Sequence, residues 1–512
     1  MLSKVYSAAA QGVDAAPVEV EVDLSQGMPS ERVVGLPDTA VKESLHRVRA
    51  AMTNAGYSWP YNKRLTINLA PADTRKEGPL YDLPIALGVM AASEQMQPEQ
   101  LEHYLFVGEL ALDGHLRPVK GALLFALLAK QLNKRGIFVP PENASEAAVV
   151  DGIEVFAPPT LPEAAAALNG ISKLDPVRVD VAELFAKPSA ESLLDLSDVR
   201  GQEHVKRAIT VAAAGGHNVL LVGPPGSGKS MMAKRLQSIL PPFTLAEALE
   251  TTKIWSIAGK LTEQEPLKTR RPYSAPHHTS TYPAVVGGGV DPKPGAISLA
   301  HNGILFLDEF PEFDPKVKEA LRQPLEDRKI TIARSATTCE FPANIMLVAA
   351  MNPCPCGHFG DPKKACRCTE IQVQRYFAKV SGPLLDRIDL HVEVPHVPFD
   401  ELSSTRSGPS SADVRKVVIA ARSIQQKRFA GSPTHSNAAM NERQVQDFCK
   451  TDEDASSLLK NAVDVLGFSA RSYGRILKVA RTIADLDNAE LISAAHVSEA
   501  IQYRNLDRYK GL

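Results

Sequence analysis

Residues 219–230 read Val219-Leu220-Leu221-Val222-Gly223-Pro224-Pro225-Gly226-Ser227-Gly228-Lys229-Ser230. The four apolar residues suit a buried strand and the stretch from Met231 suits a helix, so the glycine-rich segment between them reads as a strand-to-helix loop. Such a loop turns backbone N–H groups inward around phosphate oxygens, places a lysine ammonium at the β- and γ-phosphates and offers a serine hydroxyl to Mg²⁺. Gly223, Pro224, Pro225, Gly226, Ser227, Gly228, Lys229 and Ser230 are therefore expected to bind ATP with its Mg²⁺, inside an α/β core.

Further along, the apolar run Gly303-Ile304-Leu305-Phe306-Leu307 ends in Asp308-Glu309. Two carboxylates at the end of a buried strand suit phosphoryl transfer, which needs charge neutralisation and positioning rather than covalent chemistry. Asp308 is expected to hold Mg²⁺ and Glu309 to orient the attacking water.

The chain has 512 residues, 44% of them hydrophobic and 23% charged, an ordinary soluble composition with room for roughly two to four domains. A formal charge of −2 is neutral on the question of nucleic acid, because a local basic patch can sit on a near-neutral protein. Met1 to Ala10 lacks the basic start and apolar stretch of a secretory signal, and no run reaches the ~18 apolar residues of a membrane span. A cytoplasmic protein with no membrane association is expected.

Of six cysteines, Cys354, Cys356, Cys366 and Cys368 fall within fifteen residues, while Cys339 and Cys449 stand alone. In a reducing compartment such clustering favours metal thiolates over disulfides, and four thiolates suit tetrahedral Zn²⁺. The Cys-x-Cys arms are shorter than the usual knuckle spacing, so His358 as a substitute ligand, a metal-free loop and a redox switch stay open. The adjacent His277 and His278 would face opposite sides of an extended segment, which favours hydrogen bonding over joint ligation of a metal.

Composition divides the chain. A Pro/Ala-rich stretch from Pro158 to Gly170 leads into a proline-punctuated polar segment, and a Ser/Gly/Pro-rich passage runs from Ser403 to Ala412. The expected divisions are 1–170, a linker 171–195, a nucleotide core 196–402 that carries the cysteine cluster 354–368, and an all-α tail 403–512. Helical apolar spacing in the tail predicts helices over Val414–Phe429, Glu442–Lys450, Ala455–Leu466, Ser472–Leu486 and Ala495–Tyr503.

The phosphate loop, Pro276-His277-His278-Thr279-Ser280, Leu307-Asp308-Glu309-Phe310, the run Ala349 to Gly357 and Leu384-Leu385-Asp386-Arg387-Ile388-Asp389-Leu390 together resemble the magnesium-chelatase-like AAA+ ATPases of the ComM/YifB family, over essentially the whole chain. The resemblance implies a P-loop AAA+ α/β core with an all-α C-terminal lid. It further implies that Asn352 is the sensor 1 residue that helps place the lytic water, and that Arg387 is an arginine finger reaching a neighbouring subunit. Arg471 would be sensor 2, with Arg475 one turn on as its competitor. Arginine suits such positions because its fork complements phosphate oxygens bidentately. A finger acting in trans requires an oligomer, by resemblance a homo-hexameric ring.

The front segment is similar to the proteolytic domain of Lon, an α+β fold, through Lys76-Glu77-Gly78-Pro79, Gly108-Glu109-Leu110 and Gly136 to Asn143. Leu80 stands where that domain has its serine nucleophile and Leu123 where it has its lysine base, so peptidase chemistry is not expected. The resemblance also points to two channel-facing loops, Thr279 to Lys293 and the strand-turn-strand Lys329 to Phe341. The basic residues Lys329 and Arg334 of the latter suit phosphate-backbone contact with DNA. The function implied is an ATP-driven helicase or branch-migration motor in homologous recombination of incoming DNA, as in natural transformation. A chelatase-type ATPase serving a metal-insertion partner and a protein-remodelling scaffold are the alternatives.

Overall fold

The computed structural model of the protein describes residues 1–73, 75–97, 99–186, 194–289, 292–333, 338–361, 364–398, 401, 408–466 and 469–504. It divides into two compact units, one of Met1–Pro188, Leu245–Thr269 and Ala333–Phe341, the other of Ser189–Thr244, Arg270–Ile332 and Pro342–Leu512.

The first unit is built on a seven-stranded mixed sheet in the order Ser30–Val34, Arg64–Ala70, Asp14–Ser25, Leu2–Gln11, Tyr104–Phe106, Gly136–Phe138, Glu154–Phe156. Strand Asp14–Ser25 shows why one face is covered: Val18, Val20, Val22 and Leu24 are buried while Glu19, Glu21 and Asp23 between them are not. Helix Asp82–Ala92, apolar all round, has every residue buried, as expected of a helix enclosed on all sides. Gly88 allows its close approach, since a Cβ there would stand 2.6 Å from Val22 Cγ2. Phe106, Phe138 and Phe156, on three successive parallel strands, stack with ring centroids 5.1 Å apart.

Leu80 packs half-buried against this core and Leu123 is fully buried. The Leu123 N–H donates to Glu146 Oε1 at 3.0 Å, Asn143 Nδ2 donates to Glu146 Oε2 at 3.3 Å, and the Ser256 hydroxyl donates to Glu146 as well. Burial pushes the Glu146 carboxyl up from its ordinary range. Ser256 belongs to helix Leu245–Ile257, which the sequence reading places inside the nucleotide core. Its buried bond to Glu146, joined by the Gly121 N–H donating to the Ser256 carbonyl at 3.3 Å, is why 245–269 packs with the first unit instead.

The second unit carries a five-stranded, all-parallel sheet in the order Tyr273–Ser274, Ile304–Leu307, Met346–Met351, Val219–Val222, Leu390–Glu393. Its three central strands are buried at every position, the continuous apolar pattern of strands covered on both faces. The C-terminal region forms helices Ser411–Arg428, Glu442–Phe448, Glu453–Leu466, Ala470–Leu486 and Ala494–Gln502, each within a few residues of the periodicity-based prediction. Ser410, Asn441 and Ser469 cap three of them by accepting a backbone N–H of the first turn. Buried Asp485 joins helices by accepting from Arg428 at 2.8 and 2.5 Å, Asn437 at 2.7 Å and Arg481 at 3.1 Å. Lys329–Ala333 and Thr338–Pro342 are short strands, and Arg334 lies outside the described residues.

Candidate active site

Three neighbouring parallel strands deliver the motif residues to one edge of the sheet. Val219–Val222 runs into Gly223, Ile304–Leu307 into Asp308 and Met346–Met351 into Asn352. In open parallel sheets, ligands bind outside such carboxyl ends.

The phosphate loop has the required backbone. Gly226 and Gly228 have φ of 77° and 91°, left-handed conformations that glycine adopts without steric cost, and a Cβ at Gly223 would stand 2.1 Å from the Val394 carbonyl oxygen. Helix Lys229–Ile239 starts on Gly228, so its free N–H groups and positive dipole end face the loop. Among the described residues the buried Ser227 hydroxyl has no hydrogen-bond partner, a donor available to an oxyanion. Lys229 Nζ donates to the Gly223 and Pro224 carbonyls at 2.8 and 2.9 Å and to Asn352 Oδ1 at 3.3 Å. Its burial lowers the ammonium's pKa, and Asp308 partly offsets that. Ser230 Oγ donates to Asp308 Oδ2 at 2.6 Å. These residues fit a nucleotide phosphate chain at the loop and Mg²⁺ at Ser230 and Asp308; the ion, when bound, neutralises phosphate charge.

Glu309 sits at a φ of 51°, and its N–H donates to Asp308 Oδ1 at 2.9 Å. Its Oε2 lies 3.0 Å from His278 Nδ1. The His277 ring packs on that of His278 with centroids 4.2 Å apart, and its Nδ1 bonds Thr279 Oγ1 at 2.8 Å. The paired histidines are thus hydrogen-bonding residues, and one of them holds the carboxylate read as the water-orienting group.

Gln202, which sequence reasoning passed over, has a φ of 56° and donates Nε2 to the carbonyls of Ser227 at 2.8 Å and Pro395 at 2.9 Å. It braces the phosphate loop from a distant segment, and nothing local in the sequence marks it.

Arg387 is 8% exposed, paired with Glu326, and donates to the Pro383 carbonyl at 2.6 Å. Arg475 pairs with Asp389 and donates to the Arg387 carbonyl at 3.1 Å, whereas Arg471 is exposed in the first turn of its helix. Asp389 also accepts the Asn218 N–H at 3.1 Å and faces His217 at 3.3 Å. Burial works against its charge, yet Arg475 and then His217 outweigh it and hold the carboxyl well below the usual range. Lys329 is exposed at the start of its strand.

The four clustered cysteines converge, with their sulfurs all within 4.8 Å of one another. The closest approaches are Cys354–Cys356 at 3.3 Å, Cys356–Cys366 at 3.6 Å and Cys354–Cys366 at 3.7 Å. Thiolates around a zinc ion at ~2.3 Å stand roughly 3.8 Å apart, so the donor set fits a tetrahedral ion. Backbone N–H groups of Arg367 and His358, then the Cys354 thiol, bring the Cys356 thiol down to about 6. His358 is turned to Asp361 at 3.2 Å, which leaves the site to four sulfurs.

Models of the magnesium chelatase subunit ChlI match this chain at residues 20–143 and 195–402, and that of the ChlI C-terminal region matches at 408–504. The chain is 46% identical over 508 residues to the competence protein ComM of Haemophilus influenzae, covering 99% of this chain and 98% of that protein. The chain belongs to the ComM/YifB family of magnesium-chelatase-like AAA+ proteins. An uncharacterized member, YifB of Escherichia coli, is 45% identical over 509 residues, with 99% and 98% of the two chains covered. A shorter likeness, 26% over 190 residues and 37% of this chain, joins it to 18% of the DNA replication licensing factor mcm6 of Dictyostelium discoideum. As a ComM/YifB member the protein is an ATPase that works with ATP and Mg²⁺. Among the described residues no helix is long and apolar enough to cross a membrane.

Proposed function

We infer that this protein is an ATP-driven DNA motor, a helicase that moves branched DNA during homologous recombination of incoming DNA in natural transformation. The reading is carried by full-length likeness to a protein named for competence, joined to a phosphate loop, an acidic pair and a polar residue set on adjacent strand ends. The partial likeness to a DNA replication licensing factor supports DNA as cargo. In this reading the subunits form a cytoplasmic homo-hexamer.

Lys229 and the loop amides bind the phosphates, Ser230 and Asp308 would hold Mg²⁺, and Glu309 with Asn352 orients the lytic water. Arg387 leaves Glu326 to reach the neighbouring subunit's nucleotide, and Arg471, the exposed member of its helix turn, serves as sensor 2. Lys329, at the start of its strand, and Arg334 contact DNA phosphates. One Zn²⁺ sits on Cys354, Cys356, Cys366 and Cys368. The first 170 residues, with Leu80 in place of Lon's serine nucleophile, serve as a platform for the ring.

The ChlI name of the matching models favours a second reading, an ATPase that serves a metal-insertion partner. ATPase rate with and without four-way-junction DNA separates the two. The motor is stimulated by DNA alone, and a rate indifferent to DNA would favour the second reading.

A further inference from the structure

The cysteine cluster is continuous with the hydrolytic site. Cys354, fully buried, follows Asn352 by two residues, and Asn352 holds Lys229. Gly357, which has a φ of 83° and donates its N–H to the Cys354 carbonyl at 3.0 Å, is pressed onto the phosphate loop: a Cβ there would stand 2.6 Å from Pro225 Cδ. Cys368 leads directly into helix Glu370–Phe377, started by the Thr369 capping box. Tyr376 of that helix is buried and lines the same cleft as Asn352. That cleft, of about 660 Å³, is lined by Cys356, Arg367 and Cys368 together with Glu309 and Asn352.

We propose that a zinc ion on these four cysteines holds one wall of the ATP site, setting Asn352 through the Cys354 link and through Tyr376, so that metal occupancy controls ATP hydrolysis. The inference rests on the zinc reading above. Among the described residues no disulfide joins the loop, its four sulfurs lie within 4.8 Å of one another, and the segments they bring together are the ones that carry Asn352 and touch Pro225. Positioning of this kind acts on the chemical step more than on phosphate binding, which Lys229 and the loop amides provide.

The test measures zinc per chain, affinity for a fluorescent ATP analogue, and kcat and KM on the full-length protein, before and after zinc is withdrawn with a chelator and then restored. Zinc near one per chain is expected. Its removal should cut kcat by about 10- to 100-fold, the range found when support around a site is lost, with a smaller change in analogue affinity and recovery on adding Zn²⁺ back. Gly357→Ala, which leaves all four thiols in place, should retain zinc yet lower kcat by displacing Pro225. Active protein that carries no zinc would remove both the zinc reading and this inference. Zinc that is bound, but whose removal and whose Gly357→Ala neighbour leave kcat unchanged, would overturn the inference alone.

Discussion

His278 Nδ1 meets Glu309 Oε2 at 3.0 Å, tying the segment between the two phosphate motifs to the carboxylate proposed to orient the lytic water. The exposed Glu309 side chain has this imidazole as its close neighbour, and its backbone is held in a left-handed conformation that few non-glycine residues adopt. Replacing His278 with Ala should lower kcat by up to about 10²-fold, the cost of misplacing a reacting group, with KM for ATP little changed. His278→Asn, which keeps a donor, should recover part of the rate. A raised KM at constant kcat would instead make His278 part of nucleotide binding.

Lys229→Ala should abolish nucleotide binding, because it removes the point charge at the phosphates. Glu309→Gln should keep ATP and lose turnover, because it removes only the orientation of water. Equilibrium binding of a labelled nucleotide to both variants checks the assignment, and equal loss of binding would contradict it.

Asp389 links stability to pH. Its folded-state pKa lies below the ~3.9 of a free aspartate, so its contribution is complete above that pH and fades as pH falls towards the folded value. Asp389→Asn should therefore be less stable than wild type at pH 7, by about 3–5 kcal/mol with Arg475 left unpaired, and the gap should narrow below pH 4. Urea unfolding at pH 7 and pH 3 reads both.

The front unit predicts silence as a peptidase. With Leu80 and buried Leu123 where the resemblance to Lon places the dyad, those positions offer no group to attack and no base to activate one. Unfolded protein incubated with enzyme and ATP should remain intact, and serine-directed reagents should not label residues 1–170. Cleavage that vanishes on mutation within that segment would overturn the inactive-platform reading.

What was legible in the sequence was what is local. A strand, a glycine loop and a helix in succession announce a phosphate site, and apolar residues at helical spacing located the five C-terminal helices. What was hidden depends on partners far along the chain. Ser256 finds Glu146 across 110 residues, Gln202 braces Pro395 across 193, and Asp389 collects His217 across 172. No periodicity encodes such meetings, and buried polar groups satisfied at a distance are what sequence patterns carry least. The four thiols lay between these cases. Their spacing suggested a metal, but only the fold could bring the sulfurs within 4.8 Å and turn His358 to Asp361.

The central claim, a motor whose cargo is DNA, is tested most directly by following a labelled four-way junction with the wild-type protein and Glu309→Gln, with and without ATP. Wild type should move the junction only with ATP, and Glu309→Gln should bind the junction in the presence of ATP without moving it. Wild-type protein that hydrolyses ATP yet neither binds nor moves the junction would contradict that claim.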